Sequence, residues 1–442
     1  MVEEYWIQGR RASEIAASVE DGIATGALPP GAALPPVRGL AERLGVNPHT
    51  VAAAYRTLRD RGVIETARRR GTRVRHRPAS TPRESIRVEV PDGVRDLSRG
   101  DPDPALLPPL DDALRAAAAR HAARPTRYGD EPVTPALARL ARAQLDADGV
   151  PAGPLAVTSG ALDAIERVLT AHTRPGDAVA VEDPGWGSLL DLIPALGLRP
   201  LPVAVDDEGP LPGAVADALR QGARALLLTT RAQNPTGAAL SAARARQLRP
   251  LLARHPQTLL IEDDNGHGTT TPPPRLLAGH TAHWAFVRSA AKAYGPDLRL
   301  AVLTGDQVTI DRVLGRQRLG PGWTSHLLQH ALARLWETGA VDPARVARSY
   351  DERRQALLAA LADRGVPARG HSGMNVWVPV PDETTALTRL LRHGWAAAPG
   401  ARFRTASPPG IRVTVSPLSP ADTGPLADAL AAAVAPDPRR QG

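Results

Sequence analysis

The sequence predicts an α/β protein built from a small N-terminal module and a larger domain with a mostly parallel sheet, and three observations predict this class. Beyond Asp96, apolar strand-like runs alternate with longer helical stretches, which is typical of parallel sheets covered by helices. The first eighty residues carry short helical segments and a basic turn instead. Between them lies a polar, proline-bearing stretch without helical periodicity, which is typical of a linker. We expect the domains to be residues 1–76 and 94–436, joined by a linker over 77–93.

Charge and composition restrict the function further. The net charge is +8, and residues 1–80 hold 13 arginines against 8 acidic residues, so the N-terminal module is expected to bind an anionic partner. The chain has no cysteine, which excludes disulfides, thiolate metal sites and cysteine nucleophiles, and we expect no metal. No apolar run reaches the roughly 18 residues of a membrane span, and the start lacks the pattern of a signal peptide. We therefore expect a cytoplasmic protein without membrane contact. Six arginines fall close together near the end of the module: Arg68, Arg69, Arg70, Arg73, Arg75 and Arg77.

The first eighty residues predict three helices and a β-hairpin. Apolar residues at helical spacing indicate a helix over 15–23. A second helix is predicted over 37–44, and a third begins at Pro48 with Asn47 as its N-cap and runs towards Arg61. Two helices joined by a short turn with Gly45 form the layout of a helix-turn-helix. The runs 63–66 and 72–74, joined by the arginine-rich turn, then predict a two-stranded wing.

Several short motifs of this module match a known pattern in order and spacing. They are Leu34-Pro35-Pro36-Val37-Arg38-Gly39-Leu40-Ala41, Leu44-Gly45-Val46, Thr50-Val51, Ala54-Tyr55 and Leu58. Over roughly residues 10–76 the module resembles the winged helix-turn-helix of GntR-type transcription regulators. The resemblance implies double-stranded operator DNA as a partner, with the helix from Pro48 in the major groove, Arg38 on a phosphate and the Gly71 turn reaching the minor groove. The DNA-binding residues that it implies are Arg38, His49, Thr50, Arg56 and Gly71. The alternative is a helical module for protein contact, which leaves the basic wing unexplained.

Polar or glycine-containing turns follow the strand-like runs of the larger domain. The runs are predicted over 156–158, 178–181, 225–229, 258–261, 284–287 and 300–304. Ligands gather at the carboxyl ends of parallel strands, so these turns are candidate site segments, although each one alone also fits an ordinary helix cap, turn or core residue. In order, the turns offer a phosphate cradle at a helix N-terminus, an aromatic ring, an amide, a carboxylate, an amine and a guanidinium. The residues concerned are Ser159, Gly160, Ala161, Trp186, Asn234, Asp263, Ser289, Lys292 and Arg299.

Lys292 is the only lysine among 54 basic residues. Arginine replaces lysine wherever only positive charge is needed, but arginine stays protonated and does not act as an amine nucleophile. A desolvated lysine can lose its proton and condense with a carbonyl. The retention of one lysine therefore points to Schiff-base chemistry, and an accidental surface lysine in an arginine-biased chain is the alternative.

Over roughly residues 94–436, the ordered turns resemble the pyridoxal 5′-phosphate (PLP) site of fold-type I aminotransferases, most specifically in Asn234-Pro235-Thr236-Gly237 and in Lys292 with Arg299. The resemblance implies PLP as cofactor, a large, mostly parallel sheet domain with a smaller α+β part, and a homodimer. Lys292 would attach PLP covalently, and Asp263 would pair with the pyridinium nitrogen. The other cofactor-binding residues that it implies are Ser159, Gly160, Ala161, Ser289 and Arg299 at the phosphate, Trp186 against the ring, Asn234 at the ring hydroxyl and, from the neighbouring subunit, Tyr128 at the phosphate.

Two further features concern the ligand side of the expected pocket. The segment Ile411-Arg412-Val413 resembles the one whose arginine takes the substrate carboxylate, and Asn375 is expected to line the same pocket. One departure stands against brisk transamination. Most relatives carry a tyrosine two or three residues after the aspartate, to bond the ring hydroxyl, whereas this chain has Asn265, Gly266 and His267 there, with His267 as a candidate substitute.

A GntR-type module joined to an aminotransferase-like domain resembles the MocR group of bacterial regulators. The resemblance implies a PLP-dependent transcription regulator that senses PLP, an amino acid or an amine, with little or no turnover. A working aminotransferase with an accessory DNA-binding arm is the alternative. A third possibility is a DNA-binding protein whose large domain is only a ligand-free dimerisation scaffold.

Overall fold

The computed structural model divides the chain into two compact units. The first comprises residues 1–82 together with 174–178 and 191–200, and the second comprises the rest. The change of unit after residue 82 falls inside the segment predicted as a linker, whose exact ends remain predictions. Among the described residues, no helix is long and apolar enough to cross a lipid bilayer. The structure describes residues 6–25, 27–29, 31–60, 63–67, 71–74, 83–86, 89–271 and 273–435.

Within its described residues, the N-terminal module consists of three helices and a two-stranded antiparallel pair, as the sequence predicts. Its elements are α1 (Ala12–Ala24), α2 (Val37–Leu44), α3 (Pro48–Asp60), β1 (Ile64–Ala67) and β2 (Gly71–Val74). Helices α1 and α2 both pack on α3 around a small apolar core that includes Ile15, Val51 and Leu58. Strands β1 and β2 pair antiparallel, which confirms the predicted wing hairpin. Five arginines of the basic turn, Arg68, Arg69, Arg70, Arg75 and Arg77, lie outside the described residues.

The turn between α2 and α3 shows why the helices meet at this point. Gly45 ends α2 with φ +64°, a left-handed conformation that glycine adopts without steric cost. Two residues later, the Asn47 side chain accepts the N–H of His49 at 2.8 Å, which satisfies an otherwise unpaired donor at the start of α3. The phenol of Tyr55 donates to the carbonyl oxygen of Pro35 at 2.8 Å and fixes α3 to the segment before α2.

The remaining elements build a large sheet with helices and a smaller C-terminal part. The helices are α4 (Asp111–Ala123), α5 (Pro135–Ala147), α6 (Ala161–His172), α7 (Gly187–Ala195), α8 (Pro212–Arg220), α9 (Ala242–Ala253), α10 (Ala291–Tyr294), α11 (Gln307–Arg318), α12 (His326–Glu337), α13 (Pro343–Ala362), α14 (Glu383–Arg392) and α15 (Thr423–Val434). The strands are β3 (Arg95–Asp96), β4 (Leu155–Thr158), β5 (Ala178–Asp183), β6 (Arg199–Asp206), β7 (Gly209–Pro210), β8 (Ala223–Thr229), β9 (Leu259–Asp264), β10 (Trp284–Ser289), β11 (Ala301–Gly305), β12 (Asn375–Pro379), β13 (Trp395–Ala396), β14 (Ala398–Pro399) and β15 (Gly410–Thr414).

The large sheet has eight strands in the order β4-β11-β10-β9-β8-β5-β6-β7. Strands β8, β9 and β10 are parallel, as expected, but β11 runs antiparallel to both β10 and β4. The reason lies in the connection over residues 290–300, which holds only the short helix α10 and one 3-10 turn. That connection is shorter than a parallel crossover requires, so the chain returns antiparallel.

The C-terminal part confirms the expected smaller α+β region. Strands β12, β15 and β14 form an antiparallel sheet, and helices α13 and α14 both pack against α15. The short strand β13 pairs with β3, which ties this region to the beginning of the second unit. The apolar core beneath includes Val376, Val413 and Leu430, all fully buried.

Candidate cofactor and ligand site

A cavity of about 430 Å³ lies where several strands of the large sheet end. Ten of the twelve residues that the sequence assigns to cofactor and ligand line it. They are Gly160, Ala161, Trp186, Asn234, Asp263, Ser289, Lys292, Arg299, Asn375 and Arg412. Ser159 does not line the wall, but its carbonyl oxygen accepts Nη2 of Arg299 at 3.3 Å, so it lies directly behind it. The exception is Tyr128, which is 95% exposed and packs edge-on against Trp323 with ring centroids 5.7 Å apart.

Lys292 lies in the short helix α10, directly after β10. Its Nζ donates to the carbonyl oxygen of Gly100 at 2.8 Å. Burial, together with the nearby guanidinium of Arg412, lowers the pKa of this lysine to about 8, although Asp101 and Glu84 act in the opposite direction. The amine is therefore far closer to neutrality at physiological pH than an exposed lysine, which is the condition for attack on a carbonyl.

Three consecutive acidic residues end strand β9. Because side chains alternate between the faces of a strand, Glu262 and Asp264 lie on one face and Asp263 on the other. The carboxylate of Glu262 accepts the backbone N–H groups of Leu277 and Ala278, both at 2.8 Å. Burial nevertheless raises the pKa of Glu262 to about 7.

Asp264 is the centre of a buried ion-pair network. Its Oδ1 accepts Nε of Arg231 at 2.7 Å, and its Oδ2 accepts Nη2 of Arg231 at 3.0 Å and Nε of Arg288 at 2.9 Å. Burial alone would raise the pKa of this carboxyl, but the two guanidiniums lower it to about 2. Both arginines also pair with Asp148, in the case of Arg231 at 3.8 Å.

Asp148, Asp264 and His267 bring possible metal-ligand atoms within 4.8 Å of one another. The two carboxylates of this cluster are engaged by arginines. A cation placed among them would meet two buried guanidiniums, which repel it. The cluster is therefore better explained as an ion-pair network that holds the ends of β9 and β10.

Asp263 differs from its two neighbours because its side chain faces the cavity. Its Oδ1 is buried and has no hydrogen-bond partner among the described residues. Burial raises the pKa of Asp263 to about 8, and the negative charges of Asp264 and Glu182 add to the effect. A buried carboxyl in this position is costly unless a cation or a donor meets it from the cavity side. The protonated ring nitrogen of a pyridine is a group of that kind, so the residue fits PLP.

An anion cradle lies at the N-terminus of α6. Gly160 precedes the helix with φ +98°, and a Cβ atom there would lie 3.2 Å from Nη2 of Arg299. Arg299 itself has φ +46°, a left-handed conformation that non-glycine residues rarely adopt. One wall of the cavity is formed by the start of α6, with its free N–H groups and the positive end of its dipole. The guanidinium of Arg299 and Ser289 belong to the same wall. This combination binds phosphate groups.

A second guanidinium faces the cavity from strand β15. Nη1 of Arg412 donates to Oδ1 of Asn234 at 3.0 Å, and Nη2 donates to the carbonyl oxygen of Ser98 at 2.6 Å. Burial and the neighbouring Arg402 lower the pKa of Arg412 to about 9. An anionic ligand in the cavity would offset the charge repulsion between Arg412 and Arg402. Asn375, also in the wall, accepts the hydroxyl of Thr414 at 3.1 Å.

The loop after β9 replaces the tyrosine that the resemblance leads one to expect. Asn265 lines the cavity and donates Nδ2 to the carbonyl oxygen of Ala232 at 3.1 Å. His267 does not line the cavity. It stacks beside Tyr294 at a centroid distance of 6.3 Å, and burial lowers its pKa to about 3. The hypothesis that His267 substitutes for the missing phenol therefore finds no support in the geometry.

Several lining residues had no sequence signal. They are Glu84, Arg99, Asp101, Ser188, Arg402 and Phe403. Glu84 lies in the segment predicted as a linker, and its carboxylate accepts the hydroxyl of Ser188. Arg402 and Arg412 both approach the ring of Phe403, at 5.3 and 4.7 Å from its centroid. These residues meet only through tertiary contacts between distant segments.

The N-terminal module presents its predicted DNA-binding residues at its surface. Arg38 in α2, His49 and Arg56 in α3, and Gly71 at the start of β2 are exposed, and Thr50 is half-buried. Gly71 has φ +72°, as a tight turn requires. The opposite side of α3 contributes to the apolar core. The arrangement leaves one face of the helix-turn-helix free for a groove of DNA.

Comparisons with known proteins agree with both parts of the structure. The family described as "Aminotransferase class I and II" matches residues 93–430, and "Bacterial regulatory proteins, gntR family" matches residues 11–74. The vitamin B6 salvage pathway transcriptional repressor PtsJ of Salmonella typhimurium is 41% identical over 432 residues, which cover 95% of this chain and 98% of the relative. The chain belongs to the GntR-type regulators with an aminotransferase-like domain. A second member, the HTH-type pyridoxine biosynthesis transcriptional regulator PdxR of Corynebacterium glutamicum, is 31% identical over 77% of the chain and 76% of its own length.

Members of this family are transcription regulators. The regulator PtsJ matches 95% of the chain, including the DNA-binding module, and this coverage favours a regulator over the enzyme alternative. The 2-aminoadipate transaminase of Thermus thermophilus is 28% identical and covers only 74% of the chain. The kynurenine aminotransferase of Pyrococcus horikoshii has the same fold, with a TM-score of 0.68 at 21% identity over 78% of this chain and 91% of its own. The cofactor of the family is PLP, and Lys292, Asp263 and the cradle at Arg299 fit it.

Proposed function

We propose that this protein represses or activates genes of vitamin B6 metabolism in response to PLP. The names of the two regulators described above, one of B6 salvage and one of pyridoxine biosynthesis, support this assignment. The observation that carries it is the position of the only lysine in a cavity that also holds an anion cradle and the buried carboxyl of Asp263, whose Oδ1 has no hydrogen-bond partner in the described part of the chain. The same chain carries a GntR module that binds DNA.

The cofactor-binding roles follow from the chemistry of each wall. PLP supplies an aldehyde that condenses with amines and a ring that withdraws electrons. In our proposal Lys292 holds the aldehyde end, and Asp263 holds the proton on the ring nitrogen. Trp186 lies against the ring, and Asn234 donates to the ring hydroxyl. The phosphate is held by the helix start and the adjacent side chains, namely Ser159, Gly160, Ala161, Ser289 and Arg299.

The ligand side of the cavity extends the proposal to an amino acid or amine effector. Arg412 presents its guanidinium fork between Asn234 and Ser98, which suits a carboxylate. Asn375 is proposed to orient the same ligand. Because Asn265 takes the place of a tyrosine beside the ring hydroxyl, we propose that the domain exchanges amines slowly and acts as a sensor with little or no turnover.

We further propose that the protein acts as a homodimer in the cytoplasm. Tyr128 is 95% exposed, and Leu319 is 86% exposed, although both are large apolar side chains. A second copy of the chain that covered Tyr128 and Leu319 would bury both side chains. It would also allow the partner subunit's Tyr128 to reach the phosphate end of the cavity. A dimer also presents two winged modules to paired half-sites, with Arg38, His49, Thr50, Arg56 and Gly71 towards DNA.

The test measures DNA binding and PLP binding on one preparation of the full-length protein. A DNA fragment from upstream of the protein's own gene is titrated with protein, with and without PLP, at fixed salt. The proposal predicts a visible absorbance change on addition of PLP and an altered DNA affinity. A protein that binds the DNA with the same affinity at saturating PLP would refute the PLP response.

A further inference from the structure

The chain enters the second unit at a short 3-10 turn, Arg83–Ser85. The side chain of Arg83 is one of the groups that anchor this turn. Nη1 of Arg83 donates to the carbonyl oxygens of Ala401 at 3.0 Å and Arg404 at 2.9 Å. The N–H of Ile86 closes the turn on the carbonyl oxygen of Arg83 at 3.0 Å. Residues 83–86, which we call the entry segment, are therefore docked on the second unit, although the sequence predicts a linker there.

The entry segment also forms part of the cavity wall. Glu84 lines the cavity together with Lys292 and Arg412. Its carboxylate accepts the hydroxyl of Ser188, which also belongs to the wall. Burial lowers the pKa values of both Lys292 and Arg412, and the negative charge of Glu84 partly opposes this lowering, so Glu84 acts on the two cations that would take the cofactor and a carboxylate.

The entry segment is tightly packed against its neighbours. It lies against a second 3-10 turn, Gly400–Arg402, whose Arg402 lines the cavity. Gly187 fills the space between them. A Cβ atom on Gly187 would lie 2.7 Å from the carbonyl oxygen of Arg402 and 3.5 Å from Cβ of Arg83. Tightly packed contacts of this kind tend to switch between discrete arrangements rather than to deform continuously.

We propose that the entry segment is the ligand sensor of this protein, in which Glu84 reads the occupancy of the cavity and Arg83 transmits it to the chain that leads to the DNA-binding module. The proposal rests on the PLP response proposed above. Capture of PLP commits the amine of Lys292, and a carboxylate ligand occupies Arg412. Both events change the charge that Glu84 faces, so the docked segment has a different free energy in the empty and occupied cavities. Such a difference is what an effector needs in order to shift a conformational equilibrium.

The direct test compares Arg83→Ala with Arg389→Ala in the full-length protein. Arg389 is a matched control, because its Nη1 also donates to backbone carbonyls, those of Ala432, Ala433 and Ala435, and it does not line the cavity. DNA affinity with and without PLP gives a coupling ratio, and PLP absorbance reports loading. We expect wild type and Arg389→Ala to show a ratio of about five or more, typical of allosteric coupling. Arg83→Ala should load PLP normally but show a ratio near one.

A wild-type ratio retained in Arg83→Ala would overturn the sensor proposal and leave the PLP response intact. A ratio of one in the wild type would instead refute the proposed function. A second measurement needs no variant of the segment. Amide exchange of the peptide that contains Ile86 is followed in wild type and in Lys292→Ala, with and without PLP. We expect PLP to change the exchange rate at least about two-fold in wild type only, and an unchanged rate would overturn the proposal.

Discussion

Asp263 and Asp264 are consecutive residues of β9, and their carboxylates meet opposite electrostatic environments. Asp264 accepts Nε of Arg231 at 2.7 Å, and its pKa is lowered to about 2. Asp263 turns to the cavity with Oδ1 unpartnered within the part of the chain that the structure describes, and its pKa is raised to about 8. Asp264 therefore has its counter-charge within the protein, whereas the counter-charge of Asp263 would have to come from a ligand in the cavity.

We predict that Asp263→Asn weakens PLP binding without harming the fold. The amide removes the negative charge that would pair with the ring nitrogen, and a hydrogen bond to a charged group contributes about 1.5–3 kcal/mol, or roughly ten- to a hundred-fold in affinity. PLP titration followed by visible absorbance measures the change, and urea unfolding without PLP checks stability. Unchanged PLP affinity in this variant would contradict the assigned role.

Asp264→Asn, in contrast to Asp263→Asn, should destabilise the fold. Removal of this carboxylate breaks its buried ion pairs with Arg231 and Arg288 and leaves both guanidiniums to share the partly exposed Asp148, which costs about 3–5 kcal/mol. The free energy of unfolding without PLP measures the loss. Since the folded pKa of Asp264 is lowered, its stabilising contribution is present above the unfolded value and disappears as pH falls through about 2. A variant as stable as wild type at neutral pH would show that the network is not structural.

The rate at which the protein captures PLP should rise with pH. With the pKa of Lys292 lowered to about 8, the neutral amine increases from about one-tenth at pH 7 to about nine-tenths at pH 9. Stopped-flow absorbance after mixing with PLP measures this rate. We therefore expect a rise of about nine-fold that levels off above pH 8. The neutral fraction of an exposed lysine would instead keep rising about ten-fold per pH unit over that range, so a rate that does not level off would indicate that the amine is not desolvated as described.

Arg38→Ala is predicted to weaken DNA binding and to leave PLP absorbance unchanged. Loss of one phosphate contact should lower the slope of log affinity against log salt by about one. Arg43→Ala is the control, because Arg43 lies on the same helix but packs over the Trp6 ring at 5.2 Å. Fluorescence anisotropy on the fragment upstream of the gene, at several salt concentrations, gives both quantities. Equal losses for the two variants would count against a specific contact at Arg38.

Arg412→Ala should weaken the response to amino acids while PLP still loads. The guanidinium fork between Asn234 and Ser98 is the proposed carboxylate site, and its loss is expected to cost about 2–5 kcal/mol of ligand binding. Spectral titration of the PLP-loaded protein with a panel of amino acids, and with matching amines that lack the carboxylate, separates the two ligand classes. If wild-type protein binds the amines as tightly as the matching amino acids, Arg412 does not bind the ligand carboxylate as proposed.

Sequence reasoning predicted the elements that follow local rules. Helix α2 ends at Gly45 and α6 begins after Gly160, because both glycines carry positive φ values that other residues avoid. The antiparallel course of β11 was missed, since it depends on the length of the connection rather than on its composition. Glu84 was missed for a different reason. Its role arises from contacts with Ser188 and with the wall around Lys292, which no local pattern encodes.

The central claim is that Lys292 is the amine that holds PLP, and absorbance spectroscopy tests it most directly. Wild-type protein, Lys292→Ala and Lys292→Arg are each mixed with PLP and freed of unbound cofactor by gel filtration. We predict that only the wild type keeps the visible band of lysine-bound PLP, because no other lysine exists in the chain and arginine does not condense with the aldehyde. The same band in either variant would contradict the account.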